Sequence, residues 1–142
     1  MTLATKKGAK APNTREGAKA PNAEELVRRA EALVPLLRER AAETEALRRV
    51  PEASMALLHE QGLLKYYQPK RYGGFELDWG THFRIGRVIA HGCPSTAWIA
   101  AVVGAHTCYV GRFPKEAQDE VWADGPDVLI STGSVQKTGT VK

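Results

Sequence analysis

Apolar side chains recur every three or four positions along most of the chain, and this spacing predicts a succession of five helices. The first helix is expected to start after Asn22, because Asn22 and Glu25 have the spacing of a capping box. Its apolar face continues to about Arg49, with a kink expected at Pro35. The other four helices are predicted to begin near residues that favour helix starts, namely Pro51, Asp78, Pro94 and Pro114.

The fourth predicted helix, residues 95–110, differs from the others because it is apolar on nearly every side. This pattern indicates a helix that is buried inside a protein. Trp98 and Tyr109 on this helix are therefore expected to be core residues and not stacking partners of a ligand. Residues 66–74, which contain a proline and a Gly-Gly pair, are expected to form an irregular loop.

The pattern changes after the Asp-Gly-Pro sequence at residues 124–126. Residues 128–130 form an apolar run typical of a β-strand, and residues 138–141 are a second candidate strand. Helices followed by strands indicate an α domain that leads into a β domain. The sequence therefore predicts a mainly α chain, with a helical domain at 23–125 and the start of a truncated β domain at 126–142.

The net charge of +4 comes from the amino-terminal tail. Residues 1–22 contain five basic residues and one acidic residue, whereas residues 23–142 contain fifteen of each. The tail repeats the sequence Gly-Ala-Lys-Ala-Pro-Asn, which has too little apolar surface to form a core, and we expect it to be disordered. Because the folded part is neutral, the charge gives no support to a nucleic-acid-binding function.

The cysteines, the uncharged stretch and the other histidines give only weak indications of function. Cys93 and Cys108 have no CxxC spacing and no secretory signal precedes them, so free thiols in a reducing cytoplasm are expected. The uncharged stretch at 94–111 is at the short limit for a membrane span and fits a buried helix better. No metal-binding spacing is present, and three histidines are expected at the surface or at helix ends: His59, His82 and His91.

Three segments together resemble the acyl-CoA dehydrogenase fold family: EQGLLKYYQPKRYGGFELDW at 60–79, GRVIAHGCPSTAW at 86–98 and AHTCYVGRFPKEAQDEVWADGPDVLISTGS at 105–134. The resemblance implies a helical amino-terminal domain, a middle β domain and a carboxy-terminal four-helix bundle, with a flavin held between them. The stretch CPSTAW and His106 look more like the two-component flavin hydroxylases that act on phenols and related aromatic compounds. The chain corresponds to the amino-terminal part of such a protein.

The same resemblance suggests site residues. It implies that His106 is catalytic and contacts the substrate or an oxygen intermediate, and that Ser131, Thr132, Gly133 and Ser134 bind the flavin. Each suggestion has a plainer alternative. A histidine on an apolar helix is often a neutral core residue with one hydrogen-bond partner. A Ser/Thr/Gly cluster often only marks a turn at the end of a strand.

The implied function is a monooxygenase that takes reduced FMN or FAD from a separate reductase and hydroxylates an aromatic or related small molecule. A homo-oligomer is expected for the full-length protein, with no membrane or nucleic-acid partner. Two alternatives remain open: an acyl-CoA dehydrogenase, whose catalytic carboxylate would lie in the carboxy-terminal bundle, and a non-catalytic helical fragment or interaction module. The acidic residue that the dehydrogenases carry near the start of the β domain is absent from 129–134, which favours the hydroxylases.

Overall fold

Six α-helices and one short 3-10 turn form residues 20–131, the part of the chain that the computed structural model describes. The helices are α1 (Ala23–Glu39), α2 (Ala41–Leu47), α3 (Glu52–Glu60), α4 (Trp79–Ala90), α5 (Pro94–Val110) and α6 (Lys115–Val121). The 3-10 turn is Lys70–Tyr72, within the loop that was expected to be wholly irregular. No β-strand lies within residues 20–131. The prediction of a mainly α chain is confirmed.

Two of the predicted helix starts are formed by capping side chains. The side-chain oxygen of Asn22 accepts a hydrogen bond from the backbone N–H of Glu25 at 2.9 Å, which satisfies a free donor at the start of α1. Asp78 does the same for α4, where it accepts from the N–H of Thr81 at 3.1 Å. Helix α5 begins at Pro94, a position at which the missing N–H of proline costs nothing.

The prediction of one long first helix is wrong. The chain turns at Arg40, and the expected helix is divided into α1 and α2. Pro35 lies inside α1 without an N–H to donate, and α1 ends four residues later. The turn allows α2 to contact both α1 and α5 and buries Thr44. Periodicity did not reveal this turn because alanine and glutamate, good helix formers, continue across it.

The core lies between α1, α4 and α5, with α3 and the loop after it closing one side. Its completely buried apolar side chains come from all these parts and include Leu26, Ala30, Leu58, Leu63, Tyr66 and Ile89. Gly104 on α5 allows a close approach within this core. A Cβ atom at Gly104 would lie 2.2 Å from Oη of Tyr66, so the helix and the tyrosine ring fit only because residue 104 is glycine.

Helix α5 buries only one of its two apolar faces against these elements. Thr96, Ala100, Gly104 and Thr107 face the core, whereas the opposite side chains are open to solvent. Trp98 is 70% exposed and Tyr109 is 51% exposed, so the expectation that both are core residues is wrong. A helix that is apolar on every side has no polar face to show which side the neighbouring elements cover.

Residues 126–131, which we call the linker, follow α6 without regular secondary structure. Its apolar run includes Ile130, which is buried beside Val110 and Trp122. The candidate strand at 138–141 and the tail at 1–19 lie outside the described residues. Within residues 20–131, no helix has the length and hydropathy needed to cross a membrane. Cys93 and Cys108 are free thiols.

Candidate functional site

His106 lies on α5 where the linker crosses the helix. Its Nδ1 is 3.2 Å from the carbonyl oxygen of Ile130, and Nδ1 donates this hydrogen bond. The imidazole ring is half-buried, and its centre is 5.9 Å from the ring centre of Tyr109. Donation from Nδ1 orients the ring and, in the neutral tautomer, places the lone pair on Nε2.

This contact brings the two predicted site regions together. Ser131 follows Ile130 directly and is exposed, so the first of the predicted flavin-binding residues lies next to the predicted catalytic histidine. The other three residues, Thr132, Gly133 and Ser134, lie outside the described residues. Two apolar side chains near this contact are exposed: Tyr109, whose ring lies beside that of His106, and Leu129, which precedes Ile130. A flat ring with polar edges suits such a surface, where hydroxyl and backbone groups lie beside apolar side chains.

The linker is attached to the helical part at its first residues. Gln68 is completely buried, and its Nε2 donates to the carbonyl oxygens of Tyr72 at 2.6 Å and Pro126 at 2.9 Å. Nζ of Lys65 lies 2.8 Å from Oδ1 of Asp127, the next linker residue. Gly73 also packs closely on the linker, since a Cβ atom there would lie 2.9 Å from Cβ of Pro126.

The far end of the linker rests on a small apolar cluster that joins α5 and α6. Ile130 packs with Val110 and Trp122 in this cluster. The ring of Trp122 stacks on Tyr72, with ring centres 4.6 Å apart and planes at 25°. The cluster therefore holds Ile130 against α5 at Val110, the last residue of the helix.

A second polar group lies on the other side of α5 and was missed by sequence reasoning. Oη of the buried Tyr66 is 2.9 Å from Nδ1 of His82 on α4. Burial raises the pKa of Tyr66 and lowers the pKa of His82. His82 lies in the first turn of α4, near the helix end as expected, but its ring is half-buried and is surrounded by aromatic side chains: Tyr66, Tyr67, Trp79 and Phe83. The high density of aromatic residues between positions 66 and 83 is the feature of the sequence that could have indicated this aromatic cluster.

Open cavities lie along α5 away from His106. One of about 520 Å³ is bordered by Arg48, Arg49, Trp98 and Ile99 at the amino end of the helix. A shallower groove of about 300 Å³ runs between α4 and α5 beside His82 and Phe83. Neither is lined by His106 or Ser131. Within residues 20–131, no three His, Cys, Asp or Glu side chains are grouped so that they could hold a metal ion.

The helical architecture agrees with a comparison to known families. The model of the family described as "Acyl-CoA dehydrogenase, N-terminal domain" matches residues 20–125, which include all six helices. The chain belongs to this family. Its helical part is therefore an acyl-CoA dehydrogenase amino-terminal domain, as the sequence resemblance implied.

The relatives that the chain matches include flavin-dependent oxygenases. The chain is 42% identical over 106 residues to the flavin-dependent monooxygenase, oxygenase subunit HsaA, of Rhodococcus jostii, which covers 75% of this chain and 28% of that protein. It is 32% identical over 117 residues to the oxygenase component of p-hydroxyphenylacetate 3-hydroxylase from Acinetobacter baumannii, covering 82% of this chain and 28% of the relative.

A solved structure gives the same result for the fold. XiaF from Streptomyces, in complex with FADH2 and glycerol, superposes with a TM-score of 0.69 at 35% identity. The match covers 73% of this chain and 26% of XiaF. The chain thus spans little more than a quarter of the length of the relatives that it matches. The matched region therefore represents the amino-terminal domain and not a whole oxygenase.

Proposed function

We propose that the chain is the amino-terminal part of an oxygenase that uses a reduced flavin and oxygen to hydroxylate an aromatic small molecule. The observation that carries this proposal is the hydrogen bond between His106 and Ile130, which brings the candidate catalytic residue beside the candidate flavin-binding segment. The similarity to HsaA and to p-hydroxyphenylacetate 3-hydroxylase supports the same reaction class.

The cofactor in this proposal is reduced FMN or FAD, which supplies the activation of oxygen when it is bound. The residues predicted to bind the flavin have chemical groups that fit it. Ser131 and the following Thr132, Gly133 and Ser134 offer hydroxyl and backbone N–H groups for the polar edge of the flavin ring. Tyr109 and Leu129 offer exposed apolar surface beside them. The complex of XiaF with FADH2 supports a reduced flavin.

His106 would act on the substrate. Its Nδ1 donates to the Ile130 carbonyl, which fixes the ring, and the imidazole would accept or share the proton of a phenolic hydroxyl. Removing that proton increases the electron density of the aromatic ring, which favours attack on an electrophilic oxygen. The apolar surface of α5 would limit access of water to the reacting groups once the rest of the protein covers it.

The description of these relatives as an oxygenase subunit or component suggests a separate partner that reduces the flavin. We propose that a flavin reductase supplies the reduced cofactor and that the full-length protein is a cytoplasmic homo-oligomer. Size-exclusion chromatography with light scattering would measure the oligomeric state. Activity that depends on an added reductase, or on chemically reduced flavin, would support the two-component arrangement.

The test of the proposed function is His106→Ala in the full-length protein, with phenols including p-hydroxyphenylacetate as probe substrates. Loss of a general base is expected to lower the hydroxylation rate by about 10²-fold. Oxidation of the reduced flavin should continue and release hydrogen peroxide. His91→Ala is the matched control, because His91 is an exposed histidine at the end of α4 and should leave the product-to-peroxide ratio unchanged.

The measured quantity is the ratio of hydroxylated product to hydrogen peroxide in folded protein. If His106 only fills space, its removal should lower the melting temperature and leave this ratio at the wild-type value. That outcome would exclude a catalytic role for His106. If the wild-type protein hydroxylates none of the phenols, the proposed substrate class is wrong.

A further inference from the structure

Gln68 occupies an unusual position for a polar side chain. It is 0% exposed, and both of its side-chain hydrogen bonds run from Nε2 to backbone carbonyls. Its buried Oε1 has no hydrogen-bond partner among the described residues. An amide that leaves its acceptor unsatisfied is a poor choice for filling a core. The contribution of this side chain is therefore its link between the carbonyls of Tyr72 and Pro126.

Gln68 holds the start of the linker through a hydrogen bond to its backbone. Pro126 lies four residues before Ile130, whose carbonyl accepts the hydrogen bond from His106. The ion pair of Lys65 with Asp127 is open to solvent on the aspartate side, so salt and water weaken it. The packing of Ile130 is apolar and does not fix an orientation. Among these contacts, the hydrogen bond from Nε2 of Gln68 to the carbonyl oxygen of Pro126 is the one that holds a backbone atom at the start of the linker.

We propose that Gln68 is a positioning residue for the site. By holding the Pro126 carbonyl it fixes the path of the linker, and through that path it sets the position of the Ile130 carbonyl, the ring of His106 and the backbone at Ser131. Gln68 contacts none of the reacting groups and acts through the linker. This inference rests on the proposed function of His106 and Ser131.

The chain contains a matched control for this proposal. Gln118 on α6 is 3% exposed, its Nε2 donates to two backbone carbonyls, and its Oε1 also has no partner. The carbonyls are those of Gly111 and Phe113, in the connection between α5 and α6 and outside the linker. Replacement by methionine removes the same number of hydrogen bonds at each site and keeps a similar side-chain volume.

The experiment compares Gln68→Met and Gln118→Met in the full-length protein. Amide hydrogen exchange reports on the linker, and the yield of hydroxylated product per reduced flavin oxidised reports on the site. Gln68→Met is expected to speed exchange across residues 126–131 by about tenfold, because the anchor that opposes local opening is lost. A displacement of about 1 Å at the reacting groups lowers rates by up to about 10²-fold, and the product yield should fall accordingly. Gln118→Met should match the wild-type protein in both measurements.

Two outcomes would overturn the proposal: wild-type exchange across the linker in Gln68→Met, or an equal loss of product yield in both glutamine variants. If Gln68→Met does not fold, Gln68→Asn provides the comparison, because it keeps the amide but is one methylene too short to reach both carbonyls. Hydrogen exchange does not depend on catalysis. If the wild-type protein hydroxylates no phenol, the proposed function fails, and the exchange rates still decide whether Gln68 holds the linker.

Discussion

The contact between Gly104 and Tyr66 allows a quantitative test of the fold. Gly104→Ala would place a Cβ atom 2.2 Å from Oη, 2.4 Å from Cζ and 2.9 Å from Cε1 of Tyr66. Carbon atoms in contact normally lie about 3.5–4.0 Å apart, so the ring or the helix must move by more than about 1 Å. The ring is completely enclosed and its hydroxyl is bonded to His82, so it has little freedom to move.

The expected loss of stability follows from these distances. Overpacking a core of this kind costs about 1–3 kcal/mol, and the hydrogen bond between Tyr66 and His82 contributes about 1 kcal/mol that is at risk. Replacing a helical glycine by alanine returns about 1 kcal/mol through helix propensity. We therefore expect Gly104→Ala to lower the free energy of unfolding by about 1–3 kcal/mol in total.

Urea unfolding followed by circular dichroism measures this change. Gly86→Ala is the control, because Gly86 lies inside α4 and a Cβ atom there meets nothing within 4 Å. This variant should raise the free energy of unfolding by about 0.5–1 kcal/mol, the ordinary benefit of alanine in a helix. The reasoning fails if Gly104→Ala is as stable as the wild-type chain or if the two variants behave alike.

Two further predictions concern the tryptophans and the pH dependence. Trp122 is 5% exposed, so Trp122→Ala should lower the free energy of unfolding by about 3–5 kcal/mol, whereas Trp98→Ala should change that of this chain by less than about 0.5 kcal/mol. Equal effects in urea unfolding would contradict the assignment of the two faces. Burial lowers the pKa of His82, so below about pH 6.5 the unfolded chain binds a proton that the folded chain resists. Stability should fall from pH 7 towards pH 5, and His82→Gln should flatten this part of the profile; an unchanged profile would exclude His82 as the cause.

Local signals in the sequence were sufficient for most of the helices. Asn22 and Asp78 accept the hydrogen bonds that their positions predicted, and α5 begins at Pro94 as expected. These signals act over three or four residues, so no knowledge of the tertiary structure is needed to read them. The resemblance to the acyl-CoA dehydrogenase family was likewise carried by continuous segments, and the family match confirmed it.

The features that sequence reasoning missed depend on contacts between distant parts of the chain. The break at Arg40 places α2 against α5, and the burial of His82 requires Tyr66 and α4 to meet. The role of Gln68 is another example, because its partner Pro126 lies 58 residues away. The roles of His106 and Ser131–Ser134 stay predictions, although the structure places His106 beside the residue that precedes Ser131.

The two faces of α5 also bear on how this helix can change over evolution. Its residues carry no charge on either side, yet only one side is covered by the rest of residues 20–131. Mutations on the core-facing side are selected through folding of this domain alone. Mutations on the side of Trp98 and Tyr109 are selected through whatever else the helix must contact. Most positions on α5 are therefore subject to one of these two requirements, which leaves few neutral routes to a polar residue along its length.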